Sequence, residues 1–179
     1  MNRRFIISLH LYLASFFAPV LLVMATSGLF YLLDMKGNVN ASVIYEGDAK
    51  GLDLGEATSG DKVREWFESN NVDYSFEYLR GNGSWAVSRP TSQTHYLLSV
   101  EADKLTVTKR SPDFIYSIIE LHKGHGPLWF RYFQHFMAVG LLFIVLSGFY
   151  LGITSPVLKK PTWTVTGAGL ISLIVLALI

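Results

Sequence analysis

Long apolar runs frame a polar middle in this chain. From Phe5 to Leu33 there is no Asp, Glu, Lys or Arg, a stretch longer than the roughly 20 apolar residues a helix needs to cross a bilayer. The runs from Leu128 to Ile153 and from Trp163 to Ile179 read the same way, the third at the short limit for a span. Arg3 and Arg4 precede the first run, as they would in a signal peptide. The run exceeds the roughly 7 to 15 apolar residues of such a peptide, and no small-residue cleavage site follows, so it is read as an uncleaved anchor.

Between the first two runs the pattern changes period. A Gly, Asn, Asp and Ser-rich stretch holds one short strand near Ala41 to Tyr45. Thr58 and Asp61 then have capping-box spacing, and Val63, Trp66 and Phe67 form an i, i+3, i+4 stripe, so a helix is predicted to end near Asn70 and Asn71. Four strand-like runs follow, YSFEYLR, SWAVSR, HYLLSVE and KLTVTKR, separated by Gly81-Asn82-Gly83, Pro90-Thr91-Ser92 and Ala102-Asp103, which are hairpin signals. One helix on a four-stranded antiparallel meander is expected, with His95 a surface or half-buried strand residue. Ile115, Ile118, Ile119 and His122 then share one helical face, implying an amphipathic helix at the membrane surface before the bend at Gly126-Pro127. The fold class is therefore an α+β membrane protein. Its parts are a first transmembrane helix (1–34), a small α+β domain (35–111), an amphipathic connecting helix (112–127), and second and third transmembrane helices (128–155 and 162–179).

Composition agrees: 50% of the 179 residues are apolar and the mean hydropathy is +0.32, too apolar for an ordinary soluble domain. There is no cysteine, which excludes disulfides, thiolate metal sites and covalently attached c-type haem. Any metal must be held by His, carboxylate or carbonyl. Lys159 and Lys160 between the second and third runs, like Arg3 and Arg4, have no acidic neighbour, so both flanks are expected on the cytoplasmic side. Residues 34–113, with 9 basic and 13 acidic side chains, then lie across the membrane, and the C-terminus with them. Nothing in the chain suggests a nucleic-acid partner.

Four of the five histidines lie in or beside the apolar runs, where an ionisable side chain reads as a functional site by default. Each has a plainer reading. His10 fits the headgroup level, His125 fits a solvent-exposed turn beside Gly126-Pro127, and an interhelical hydrogen bond would satisfy His135. Arg131 would snorkel to the interface or neutralise a haem propionate. Trp129, Phe130, Tyr132 and Phe133 form an interfacial aromatic belt first. Two imidazoles on one haem iron must share a depth. His10 is only about 8 Å of helix from Phe5, and His135 about 27 Å from Ile153, so those two do not share an iron. A two-fold axis along the membrane normal would bring each histidine opposite its own copy. Ala14, Ala18, Ser27-Gly28 and Gly148-xxx-Gly152 permit close helix approach.

The opening LHLYLASFFAPVLLVMATSGLFYLL resembles the first helix of the PepSY-associated transmembrane proteins, with His10 at its start and Thr26-Ser27-Gly28 near its end. The later LHKGHGPLWFRYFQHFMAVGLLFIVLSGFYLG is similar to that family's second Leu-His helix, with Leu121-His122 and Ser147-Gly148 in matching places. The middle domain fits a PepSY-like module. Relatives include ferric-siderophore reductases of the bacterial inner membrane that carry electrons over b-type haem. The resemblance therefore implies haem b, with His10 and His122 the favoured axial ligands, His135 an extra candidate, His125 a lesser one, and Arg131 a cofactor contact. It implies a periplasmic middle domain and an N-terminus inside. Those reductases repeat the unit and have at least four spans, so a complete site here calls for a homodimer or a partner membrane subunit. A non-redox accessory module, binding a periplasmic protein or restraining a peptidase, is the alternative.

Overall fold

The computed structural model describes residues 2–49, 52, 54 and 59–179. Its elements in chain order are α1 (Arg3–Leu32), β1 (Val39–Asp48), α2 (Ser59–Ser69), β2 (Tyr78–Gly81), β3 (Trp85–Arg89), β4 (His95–Glu101), β5 (Lys104–Pro112), α3 (Phe114–His122), α4 (Leu128–Ile153) and α5 (Lys159–Leu178). Three of the helices, α1, α4 and α5, are long and apolar enough to cross a membrane. The chain divides into two compact units, one of residues 22–134 and the other of residues 1–21 with 135–179.

In the first unit the sheet is antiparallel, in the order β1-β5-β4-β3-β2. The meander expected from the hairpin signals is the β5-β4-β3-β2 part. Ala102 and Asp103 both take positive φ, 49° and 61°, the geometry of a two-residue turn matched to strand twist. The fifth strand is longer than expected. It pairs with β5 from Val39 to Asp48, with a bulge between Val43 and Tyr45, because the partner that completes it lies at the far end of the domain sequence.

One face of the sheet closes on α2 around Val63, Phe67, Ala86, Tyr96, Leu98, Leu105 and Val107, all buried. Phe67 is the centre of an aromatic cluster: its ring is 4.9 Å from Tyr96, 5.3 Å from Tyr74 and 6.2 Å from Phe76. That cluster explains why the run YSFEYLR becomes a strand only at Tyr78. Tyr74 and Phe76 use the alternation to reach Phe67 rather than to pair with a neighbouring strand. The helix ends within two residues of the expected place, Asn71 taking positive φ, while Thr58 lies outside the described residues.

Asp113 joins the sheet to α3. Its carboxylate accepts from Tyr116 N at 2.8 Å as the helix N-cap and from Asn38 N at 2.7 Å. It lies so close to Gly37 (φ 73°) that a Cβ there would collide with it. The amphipathic helix is thus α3, ending at His122, and residues 123–127 are the turn.

In the second unit, Phe17 of α1 is fully buried in a notch left by Gly140 of α4, where a Cβ would overlap its ring, and it meets Phe136 at 5.3 Å. Gly152 faces Thr162, and Phe149 faces Trp163 at 5.5 Å, seating α5 on α4. α5 begins at Lys159, earlier than the apolar run, because Pro161 is tolerated in a first helical turn.

The aromatic core lies within residues 49–107, so a fragment of residues 36–125 is expected to fold on its own, free of metal and haem, with mixed α and β circular dichroism. Phe67→Ala should lower its unfolding free energy in urea by about 3–5 kcal/mol.

Candidate functional site

The two histidines singled out by their Leu-His setting are held in the same way. In one unit, His10 on α1 places Nδ1 2.9 Å from Ser147 Oγ on α4, and a Cβ on Gly148 would sit 3.2 Å from His10 Cε1. In the other, His122 at the end of α3 places Nδ1 2.9 Å from Ser27 Oγ and 3.0 Å from Met24 O, both on α1, and a Cβ on Gly28 would sit 3.5 Å from its Cε1. Each imidazole therefore rests on a Ser-Gly pair. The serine reaches the ring nitrogen and the glycine admits the ring to the helix surface. In neither histidine does Nε2 have a hydrogen-bond partner among the described residues.

His122 also borders a cleft of about 290 Å³ with Ser27, Gly28, Tyr31, Ile119 and Lys123. That is at the lower edge of small-molecule pockets, about 300–1,000 Å³. Around Ser147 a cleft of about 340 Å³ is bounded by Ile6, Phe143, Leu146 and Tyr150. Both clefts are mostly apolar, and the ammonium of Lys123, which lines the first, is taken up by Glu120. An imidazole whose Nε2 has no partner among the described residues, with glycine beside the ring, is what a b-type haem would need of its protein ligand. No cluster of three or more metal-ligating side chains occurs among the described residues.

The other candidates are placed differently. His10 is level with Ser147 and Phe17 with Gly140, so α1 and α4 run antiparallel where they meet. His135 stands about 18 Å along α4 from Ser147, at a separate level, exposed and with no polar partner among the described residues. Arg131 is engaged inside the protein: Nη2 donates to Glu77 Oε2 at 3.1 Å and the guanidinium lies 5.2 Å from the Tyr78 ring centre. Glu77 also accepts from Leu128 N at 2.7 Å, so this pair ties β2 to the start of α4. The Gly148-xxx-Gly152 pair is used within the chain, toward His10 and Thr162.

His125 is not the exposed turn residue expected. It is half-buried, with Nδ1 2.7 Å from Glu120 Oε2. Glu120 is 4% exposed and is the centre of a polar knot that sequence reading missed. It accepts from Thr91 Oγ1 and from Lys123 Nζ at 2.5 Å, while Arg89 Nη1 lies 3.8 Å away. Burial alone pushes its carboxyl up, but the bonds from Lys123, Thr91 and His125 outweigh this and bring it down to about 2. A signal existed. Of 14 acidic residues in the chain, Glu120 alone lies outside residues 34–113. His95, expected at or near the surface, is 2% exposed. It opposes Arg110 across the sheet and donates from Nδ1 to Gln93 O at 2.9 Å. Burial lowers its pKa, as does Arg110 beside it, while the bond to Gln93 O and the Glu120 charge act the other way.

A family model described as PepSY_TM-like matches residues 62–179, from within α2 to the end of α5; α1, with His10 and Ser27, precedes the match. No curated protein and no solved structure matched the chain.

Because the Glu120 carboxyl is held near 2 against an ordinary value of 4.5, its contribution to stability is complete above about pH 4.5. It is lost as pH falls toward 2. A shift of that size is worth about 3 kcal/mol. Glu120→Gln should remove that pH dependence and cost about as much at neutral pH, read from thermal melts of the 36–125 fragment across the acid range.

Proposed function

The chain belongs to the PepSY_TM-like family, and we propose that it is a b-type haem protein of the bacterial inner membrane that passes electrons across the bilayer toward ferric iron or a siderophore. The observation that carries this reading is the double occurrence of one arrangement: two helix-borne imidazoles, each held through Nδ1 by a Ser-Gly pair, each with Nε2 free of partners among the described residues. When bound, b-type haem supplies one-electron transfer. His10 and His122 would hold the group through Nε2, and mostly apolar side chains would wall the clefts beside His122 and Ser147.

His10 and His122 belong to different units, and each has a site of its own. On this reading the same histidine of a second copy, brought opposite by a two-fold axis, would complete each site. Arg3, Arg4, Lys159 and Lys160 support an arrangement with the N-terminus and the α4–α5 turn in the cytoplasm and residues 35–113 and the C-terminus in the periplasm.

Membranes containing the protein should give a reduced-minus-oxidised b-type spectrum. His10→Ala and His122→Ala should each abolish one haem and retain the other, while His135→Ala keeps both. Haem-free, well-folded protein from haem-replete cells would defeat the reading and favour the accessory module. Full haem in a monomer would defeat the shared geometry alone. A reporter fused between residues 48 and 53 should be active only when periplasmic; cytoplasmic activity would invert the topology.

A further inference from the structure

We infer that Ser27 and Ser147 are positioning residues that fix His122 and His10 as the tautomer protonated at Nδ1, so that Nε2 carries the lone pair in both. The metal group these nitrogens would meet rests on the haem reading above; the tautomer does not. A serine hydroxyl has one hydrogen to give. Ser147 Oγ lies 3.1 Å from Ile144 O, one turn back on its own helix. Ser27 Oγ lies 2.9 Å from Met24 O in the same relation. A carbonyl oxygen only accepts, so each hydroxyl hydrogen is directed to it, and what the oxygen then turns to the imidazole is a lone pair. The ring nitrogen facing it must be the donor.

At His122 the case is doubly made, because Nδ1 is also 3.0 Å from Met24 O. An unprotonated Nδ1 would set its lone pair against that carbonyl. At His10 the serine is the sole partner among the described residues. The two sites are thus built alike but secured unequally.

The glycines belong to the same device. Gly148 leaves room for His10 Cε1, the carbon between the two ring nitrogens, at a distance where a Cβ would already be tight, and Gly28 does so for His122 with a little more space. A methyl group at 148 would press the ring away from Ser147. Imidazoles that bind metals generally donate their other N–H to an oxygen, which fixes the tautomer and makes the ligating nitrogen more basic. Here that oxygen belongs to a helix that approaches closely because glycine follows the serine.

The test uses the full chain, haem-free, labelled with ¹⁵N-histidine in lipid nanodiscs, with resonances assigned from His10→Gln and His122→Gln. Both histidines should show a protonated Nδ1 and a pyridine-like Nε2. Ser147→Ala should return His10 to a mixture of tautomers and weaken haem binding at that site about 10–100-fold, with Ser147→Thr restoring both. Ser27→Ala should keep the His122 tautomer, since Met24 O remains. A protonated Nε2 at either histidine in the wild type, or a His10 signal unmoved by Ser147→Ala, would overturn the inference. The expected tautomers in a protein that takes up no haem would support it and sink the haem reading instead.

Discussion

An imidazole between apolar helices costs free energy unless a ring nitrogen is given a partner, and both helix-borne imidazoles find that partner in a Ser-Gly pair. The constraint reaches beyond the rings. Serine must face the nitrogen, so the helix carrying it is fixed in rotation; glycine must follow, so the helix is fixed in distance. At the His10 site this sets α4 against α1, and Phe17 in the Gly140 notch continues the same contact two turns along α1. Small residues on α4 are therefore an intrachain fit, and the pattern that also suggests self-association is already accounted for by His10 and Thr162.

The same rule operates in the extramembrane part with opposite charge. A buried carboxylate is tolerable only when paired and hydrogen-bonded, and Glu120 meets that demand by drawing in Thr91 from the loop after β3, Lys123 and His125 from the turn after α3, and Arg89 from β3. Glu120 with Thr91 thus ties the domain to α3, and Glu77 with Arg131 and Leu128 N ties it to α4. Both consist of directional, charge-assisted bonds rather than an apolar patch. Such bonds fix orientation more sharply than they add affinity.

What could be read from the sequence follows from how local each signal is. Apolar runs of this length leave little choice, and α1 and α4 fall where the runs do. Hairpins were legible because Ala102-Asp103 and Gly81-Asn82-Gly83 are turns written into adjacent residues. The bonds of His10 to Ser147 and His122 to Ser27 span 137 and 95 residues, and no periodicity within a window reports such a pairing. The serines were legible only as small residues. His95 failed for a related reason. Alternation puts Tyr96 on the core face, against Phe67, and His95 on the other, where the charged groups that act on it, Arg110, Glu120 and Arg89, come from distant parts of the sequence.

The two demands meet on α3. Glu120 and His122 are two residues apart and therefore about 200° apart around the helix, one facing the sheet and the other α1. Glu120 binds a loop of the domain, while His122 binds Met24 and Ser27. The N-cap at Asp113 fixes the start of the same helix to the Asn38 end of the α1–β1 link. A nine-residue helix held at its cap and on both sides has almost no independent freedom, so the free nitrogen of His122 is positioned by the sheet as well as by α1. The amphipathic pattern over Ile115 to His122 identified this helix by its apolar face, but the residue that decides its orientation is the one acid within it.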